Sequence, residues 1–188
     1  MFEPEIVLAS ASPRRAELLT LAGFRFVVDP ADVDETEHPG EPPEHYVLRV
    51  ARDKARTVAA RHHGRVVLAA DTTVVADGQI LAKPADEADA IRMLELISGA
   101  VHDVWTAVVA LNDGKEAAET TLTRVQLRAI TPEEIRWYVA TGEPMGKAGA
   151  YGIQGRAARF IDRIEGSWSN VVGLPVATVD RLLKSLAA

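Results

Sequence analysis

Apolar residues recur along the chain in short blocks, some with the two-residue period of strands and others with the 3.6-residue period of helices. The first block, Ile6–Ala9, predicts a strand. Ser12 and Pro13 follow, and a capping serine before a proline at the first helical position is typical of a helix start. Gly23 suits the end of that helix, because glycine readily adopts the left-handed backbone found there. The chain is therefore expected to open with a strand, a tight turn and a helix.

The next segments predict a strand at Phe24–Val28, an acidic loop at Asp29–Pro43 and a helix at about Glu44–His62. The apolar face of this helix, at the 3.6-residue period, consists of Val47, Val50, Ala51, Ala55 and Val58. Lys54 lies in the middle of the same face. A lysine at such a position either extends its ammonium group outward to solvent or points into a polar cleft, and the pattern alone leaves both interpretations open.

A continuous apolar run at Val66–Ala70 is typical of a strand covered on both faces. It leads directly into Asp71, and Thr72–Val75 continues the strand pattern up to a hairpin turn at Asp77 and Gly78. A buried carboxylate without a partner is costly, so Asp71 is expected near a cation or a metal. Its place at a strand end is also where open α/β sheets bind their ligands.

Three further helices and three further strands complete the pattern. The predicted helices begin at Asp86, Thr131 and Pro175, and the predicted strands span Val101–Leu111, Glu119–Arg128 and Phe160–Ile164. Thr131 is followed three residues later by Glu134, which is the signature of a capping box. The mixture predicts an α/β fold with helices on the faces of a sheet, and 188 residues fit one domain of at most two lobes.

Composition excludes several classes of protein. Cysteine is absent, which excludes disulfide frameworks, thiol catalysis, zinc–thiolate sites and iron–sulfur clusters. The net charge of −6 disfavours binding to duplex nucleic acid. Glu3 and Glu5 stand where a secretory signal would carry positive charge, and no run approaches the roughly 18 apolar residues that span a bilayer. A cytoplasmic protein without membrane or nucleic-acid partners is expected.

Two segments have the chemistry of a ligand site. The turn at Ser10–Arg15 combines backbone N–H groups at a helix start with the guanidinium groups of Arg14 and Arg15, which favours a phosphate. Solvated arginines on a surface helix explain the same residues more simply. The glycine-rich stretch Gly146–Gly155 has the spacing of neither a P-loop nor a dinucleotide fingerprint. Its Gln154 offers a donor and an acceptor to a base edge, although a plain loop also explains the glycines.

Metal ligands are few. The histidines lack metal-ligand spacing, and the acidic residues Asp32, Asp34, Glu35 and Glu37 are typical of a solvated loop. One of these carboxylates could still join Asp71 in holding Mg²⁺, since hard cations prefer oxygen ligands.

Seven segments in order resemble the Maf-like nucleotide pyrophosphatases. They are LASASPRRAELL (8–19), ARDKA (51–55), AADTTVV (69–75), ILAKP (80–84), LISGAVHDVWTAV (96–108), GKAGAYGIQG (146–155) and GSWSNVVGLP (166–175). Because they run through nearly the whole chain, the resemblance is far more specific than any single motif. Its departures are minor: Asp53 stands where glutamate is common, and Trp168 where tyrosine is common.

The resemblance implies a single domain over residues 1–188, with a mixed twisted α/β sheet flanked by helices and two lobes around a deep cleft, as in the Maf and ITPase folds. It implies a house-cleaning enzyme that uses Mg²⁺ or Mn²⁺ to hydrolyse nucleoside triphosphates to monophosphate and pyrophosphate. The form AGAYGIQG resembles the branch that acts on dTTP, UTP and modified pyrimidine nucleotides. A sister branch that acts on 7-methyl-GTP lacks this tyrosine–glutamine sequence.

The resemblance also implies roles for particular residues. The implied catalytic residues are Asp71 as the base, Lys54 and Lys83; the implied substrate-binding residues are Ser10, Arg14, Arg15, Thr72 and Gln154; and the implied metal ligands are Asp71 and Glu35. A homodimer is suggested by the resemblance alone. Two hypotheses of other classes remain: a nucleotide-binding regulator of cell division and septum formation with little catalysis, and an interaction protein that uses the acidic loop. The presence of Asp71, Lys54 and Lys83 disfavours an inactive regulator.

Overall fold

The computed structural model describes residues 5–187 and shows a mixed α/β protein. The strands are β1 (Ile6–Leu8), β2 (Phe26–Val28), β3 (Val67–Ala76), β4 (Gln79–Leu81), β5 (Val101–Asn112), β6 (Lys115–Leu127) and β7 (Ile161–Glu165). The helices are α1 (Pro13–Leu21), α2 (Pro43–Ala59), α3 (Glu87–Ile97), α4 (Pro132–Val139), α5 (Trp168–Val172) and α6 (Val176–Ala187). Within residues 5–187, the seven strands form one sheet in the order β2-β1-β3-β5-β6-β7, with β4 paired to β3.

The predicted strands and helices are confirmed, with bounds that shift by a few residues. Helix α2 ends at Ala59 and not at His62, whose Nε2 instead lies 2.7 Å from the Asp29 carboxylate. The sequence pattern does not predict α5, because five residues are too few to show a helical period. The predicted absence of a secretory signal rests in part on Glu3, which lies outside the described residues. None of the helices described between residues 5 and 187 combines the length and the apolar character needed to cross a membrane.

The chain forms two compact units, each made of separate segments. The first unit contains the described residues up to Asp71, Thr106–Thr121, and the described residues from Gly173 onward. The second unit contains Thr72–Trp105 and Leu122–Val172. Strands β3, β5 and β6 each contribute residues to both units.

In the first unit, β1 is parallel to both β2 and β3, with Leu8 opposite Leu68. Both leucines are fully buried, and so are all five apolar residues predicted for the face of α2. Ser10 follows Leu8 by two residues and lies beyond the end of β1, whereas Asp71 follows Leu68 by three and lies within β3, which continues to Ala76. The strand end predicted at Asp71 is therefore the end of the parallel pairing with β1 and not the end of β3 itself. This is the edge of a parallel sheet at which ligands bind.

Helix α1 follows β1 closely because its two ends are well defined. Pro13 occupies the first helical position, and Gly23, at φ +81°, donates its N–H to the carbonyl of Thr20. Phe24 N–H reaches back to the carbonyl of Leu19, which completes the paired hydrogen bonds of a glycine-terminated helix. The prediction of a C-terminal glycine is thereby confirmed.

In the second unit, β3 and β4 form the predicted hairpin. Asp77 and Gly78 have φ values of +49° and +70°, as a two-residue turn of this twist requires. The capping box of α4 is also present: the Thr131 hydroxyl accepts a hydrogen bond from Glu134 N–H, and the Glu134 carboxylate accepts one from Thr131 N–H. Tyr138 on α4 packs edge-on against Phe160 in the core of this unit.

Candidate functional site

Lys54 lies between two carboxylates in the first unit. Its Nζ is 2.7 Å from Asp71 Oδ1 and 2.7 Å from Glu35 Oε1. Lys54 is only 7% exposed and Asp71 only 6% exposed, so this ion pair is buried. Of the two interpretations of the lysine in an apolar stripe, the structure therefore shows the one in which it serves a polar site.

The environment of Asp71 changes its affinity for a proton. Burial raises the pKa of Asp71 above its ordinary value, while the nearby charges of Lys54 and Arg15 act in the opposite direction. The net direction is upward. Because a general base works best when its pKa approaches the ambient pH, this shift suits Asp71 to accepting a proton.

Arg15 is held in place at the start of α1. Its Nε donates to the carbonyl of Gly173 at 2.8 Å, and its Nη1 donates to Ser10 Oγ at 3.1 Å. Ser12 N–H also donates to Ser10 Oγ, at 3.2 Å. Ser12 occupies the predicted N-cap position, but its own side chain makes no capping hydrogen bond. The Ser10 hydroxyl thus accepts from the backbone just before α1 and from Arg15, which orients the Arg15 guanidinium.

The two arginines are adjacent, and both are partly buried. Burial lowers the pKa of both Arg14 and Arg15 from the ordinary arginine value, and the Asp71 carboxylate counteracts this change at Arg15. An arginine retains its charge under such shifts, so the start of α1 presents two neighbouring cations. Together with the helix N-terminus, they are the cationic groups on which the prediction of phosphate binding rests.

Glu35 and Asp71 fit the expected needs of a divalent metal. Both carboxylates approach the one ammonium group of Lys54, and the backbone of Glu35 is fixed by a hydrogen bond from the Tyr46 hydroxyl to its carbonyl oxygen, at 2.9 Å. Among residues 5–187, no group of three or more histidine and carboxylate side chains could hold a metal. Mg²⁺ commonly binds through one or two carboxylates and completes its shell with water and substrate phosphates, so the chemistry of this pair is compatible with such an ion.

The remaining predicted site residues lie in the second unit. Thr72 follows Asp71 on β3 and is partly buried, whereas Lys83 and Gln154 are exposed. Gly149 N–H donates to the carbonyl of Ala82, so the glycine-rich stretch is joined to the segment that carries Lys83. Gly149 has φ +68°, and a Cβ there would lie 2.9 Å from the Val74 side chain. The absence of a side chain at Gly149 therefore allows its backbone to lie close to Val74 of β3.

A pair of polar residues that the sequence pattern does not predict supports the glycine-rich stretch. Tyr151 Oη lies 2.8 Å from His102 Nε2, and the two rings meet edge to face. Both side chains are buried, and His102 Nδ1 has no hydrogen-bond partner among the described residues. Burial lowers the pKa of His102 to about 4, so the imidazole is neutral at pH 7.

The neutral state of His102 predicts a pH dependence of stability. A histidine with a pKa near 6.5 when unfolded and about 4 when folded contributes stability that is present above pH 6.5 and lost as the pH falls toward 4. We expect His102→Asn to reduce the acid-induced loss of unfolding free energy over this range by about 3 kcal/mol. Chemical denaturation at a series of pH values measures it, with the exposed His63→Asn as the control. Parallel stability–pH curves for the wild type and His102→Asn would contradict the expectation.

Comparison with known proteins identifies the family. The sequence profile described as "Maf-like protein" matches residues 5–186. A Koribacter versatilis protein named "dTTP/UTP pyrophosphatase" is 53% identical over 179 residues, covering 95% of this chain and 93% of the relative. Two more relatives have the same name. The Myxococcus xanthus protein is 51% identical, covering 95% of this chain and 91% of the relative, and the Geobacter sulfurreducens protein is 48% identical, covering 100% of both. The chain belongs to the Maf-like protein family.

Proposed function

We propose that this protein is a nucleoside triphosphate pyrophosphatase that hydrolyses dTTP and UTP, together with modified pyrimidine triphosphates, in a house-cleaning role. The observation that carries the proposal is the buried Lys54–Asp71 pair, with Asp71 just past the parallel pairing of β1 with β3. The chain is also about half identical to relatives named dTTP/UTP pyrophosphatase. The products are the nucleoside monophosphate and pyrophosphate.

Asp71 acts as the general base in this proposal. The oxygen of a water molecule forms a bond to the α-phosphorus, and the bond from that phosphorus to the oxygen bridging it to the β-phosphate breaks. The proton of the water passes to Asp71 Oδ2, since Oδ1 accepts the hydrogen bond from Lys54. Lys54 favours the ionised form of the carboxylate, because its charge and hydrogen bond lower the pKa of Asp71, and it fixes the direction of the carboxylate. General-base assistance of this kind contributes about 10²- to 10⁴-fold to the rate.

The cations of the site balance the charge of the substrate. Arg14 and Arg15 would bind the phosphates at the start of α1, with Ser10 holding Arg15 in its orientation. Lys83 is proposed to join them at the leaving pyrophosphate. A donor that acts mainly on the charge developing in the transition state contributes about 3 to 4 kcal/mol.

Asp71 and Glu35 are proposed to hold the divalent cation, Mg²⁺ or Mn²⁺. For Asp71 this role is the alternative to that of general base, because Oδ1 accepts the hydrogen bond from Lys54 and Oδ2 serves one task or the other. When bound, such an ion neutralises charge on the phosphate oxygens and acts as a Lewis acid. The two carboxylates that meet at Lys54 supply the oxygen donors that such a cation prefers.

The experiment that tests the function is pyrophosphate release by the purified protein, with Mg²⁺ or Mn²⁺, from dTTP, UTP, CTP, dATP, GTP and 7-methyl-GTP. Preferential turnover of dTTP and UTP would support the proposal. Turnover of 7-methyl-GTP instead would keep the reaction and overturn the specificity. Nucleotide binding without any pyrophosphate release would favour the regulator hypothesis.

Gln154 is proposed to read the base edge together with Thr72. A site that hydrogen-bonds its substrate rejects a mismatched edge because the polar groups of the site are left unpaired. We expect Gln154→Ala to reduce the ratio of kcat/KM for dTTP to that for CTP by about 10- to 100-fold. The exposed Gln79→Ala on β4 is the control, since Gln79 lies at the hairpin turn. Unchanged selectivity in Gln154→Ala would argue against base recognition there.

The proposed substrate also suggests where and in what form the enzyme works. Nucleoside triphosphates are used in the cytoplasm, and we place the enzyme there. The family resemblance suggests a homodimer, which light scattering on a size-exclusion column would test.

A further inference from the structure

Glu143 lies in the turn after α4, and its carboxylate is directed at the segment Gly152–Arg156. Its Oε2 accepts a hydrogen bond from the backbone N–H of Arg156 at 3.0 Å, and its Oε1 accepts one from the Tyr138 hydroxyl at 3.0 Å. Only 15% of the Glu143 side chain is exposed. This acidic side chain is thus mostly buried and has donors at both oxygens.

Tyr138 extends the connection to the other end of the segment. Its hydroxyl oxygen accepts a hydrogen bond from Gly152 N–H at 3.2 Å, and its O–H donates to Glu143. Burial raises the pKa of Tyr138 well above its ordinary value, so the phenol retains the proton that it donates. The segment Gly152–Arg156 is therefore attached to one carboxylate at both ends, directly at Arg156 and through Tyr138 at Gly152.

Gly155 allows the carboxylate to lie against this segment. A Cβ at position 155 would be 2.6 Å from the carboxyl carbon of Glu143, closer than real Cβ atoms approach other atoms. The backbone of Glu143 is also fixed, because Thr141 Oγ1 accepts its N–H at 3.2 Å and Lys147 Nζ donates to its carbonyl oxygen. A larger residue at position 155 would therefore have to displace the Glu143 carboxylate from the segment.

We propose that Glu143 is a positioning residue for base recognition by Gln154. Gln154 lies inside the segment that Glu143 and Tyr138 hold at both ends. The inference rests on the proposed function, and Glu143 acts through the segment without contacting the nucleotide. A carboxylate is required because two donors converge on its two oxygens, and an amide would present a donor to one of them.

The first test compares Glu143→Gln with the wild type in the full-length protein. We expect the ratio of kcat/KM for dTTP to that for CTP to fall by about tenfold, through a higher KM for dTTP, while kcat changes less than threefold because Asp71 and Lys54 are untouched. Glu133→Gln is the matched control: Glu133 is exposed on α4, and its side chain pairs with Arg136. Unchanged selectivity in Glu143→Gln, or an equal loss in Glu133→Gln, would overturn the proposal.

A second measurement does not depend on catalysis. Hydrogen exchange at the amides of Gly152 and Arg156 should be at least tenfold faster in Glu143→Gln, and Tyr138→Phe should accelerate exchange at Gly152 most. Unchanged exchange at both amides would overturn the proposal. If the wild type released no pyrophosphate, the proposed function would fail. The affinities of the wild type and Glu143→Gln for dTTP and CTP, measured by calorimetry, would then decide whether Glu143 positions Gln154.

Gly155→Ala provides the third test. In the wild-type background the added methyl group should displace the carboxylate and reproduce the roughly tenfold loss of selectivity of Glu143→Gln. In a Glu143→Ala background, where no carboxylate remains to be displaced, Gly155→Ala should reduce selectivity less than twofold further. A full additional loss in the double variant would show that residue 155 acts independently of Glu143 and would overturn the proposed contact.

Discussion

Replacing Asp71 by asparagine should reduce the rate of pyrophosphate release from dTTP by about 10²- to 10⁴-fold. Asparagine has nearly the same shape and keeps an oxygen that accepts the hydrogen bond from Lys54 Nζ, but it does not accept a proton from water at neutral pH. The loss should therefore appear in kcat, while the affinity for the nucleotide stays within a few-fold of the wild type. Steady-state pyrophosphate release and calorimetric titration with dTTP measure the two quantities separately.

Asp77→Asn is the control for this experiment. Asp77 is exposed in the hairpin turn at φ +49°, a backbone conformation that asparagine also adopts readily. It removes one carboxylate from the protein without touching the site. An undiminished rate of pyrophosphate release in Asp71→Asn would show that Asp71 is not the base. A large loss of rate in Asp77→Asn would show that removing any carboxylate lowers the rate.

Lys54→Met should destabilise the protein by about 3 to 5 kcal/mol at pH 7, because it leaves the buried Asp71 carboxylate without its ammonium partner. Methionine has a similar length and suits the apolar face of α2, so the effect reports the lost charge more than lost packing. The double variant Lys54→Met/Asp71→Asn should recover most of this free energy, since it buries no unpaired charge. Denaturant unfolding of the wild type, Lys54→Met, Asp71→Asn and the double variant gives the interaction energy of the Lys54–Asp71 pair.

The same variant should change how stability depends on pH. Lys54 lowers the pKa of Asp71, so Lys54→Met raises it further above the value of the unfolded chain. A carboxyl group whose pKa is raised on folding contributes stability that is present at low pH and lost as the pH rises. The penalty in Lys54→Met should therefore shrink as the pH falls toward 4. Lys184→Met is the control: Lys184 forms an exposed ion pair with Asp180, and its loss should lower the free energy of unfolding by less than about 1 kcal/mol. An equally small loss of unfolding free energy in Lys54→Met would contradict the expectation.

The secondary structure follows from local signals, which is why the sequence predicts most of it. The hairpin at Asp77-Gly78, the capping box at Thr131 and the glycine after α1 each depend on residues within a few positions of one another. Helix α5 has no such signal, since its five residues show no period. Helix α2 ends at Ala59, before the predicted His62, and the His62 side chain contacts Asp29, a residue from a distant part of the sequence.

The candidate site is predictable only in part, for a related reason. Lys54 and Asp71 each stand out because a charge interrupts an apolar pattern, yet only the folded chain shows that they meet. Glu143 gives no such signal, because an acidic residue in a turn is ordinary until Arg156, thirteen positions away, reaches it. The carbonyl of Gly173 that holds Arg15 is a backbone group, and residue types along the sequence do not reveal its use.

The division of each unit among separate segments has a consequence for how the protein folds. The first unit needs residues from three stretches of the chain, the last of which begins at Gly173. A nascent chain that has not yet reached residue 173 lacks the carbonyl that orients Arg15 and the whole of α6. Closing contacts over such long separations slows folding, because the loop entropy is lost before the contacts form. During synthesis, the turn at Ser10–Arg15 should therefore be among the last parts of the first unit to reach its native geometry.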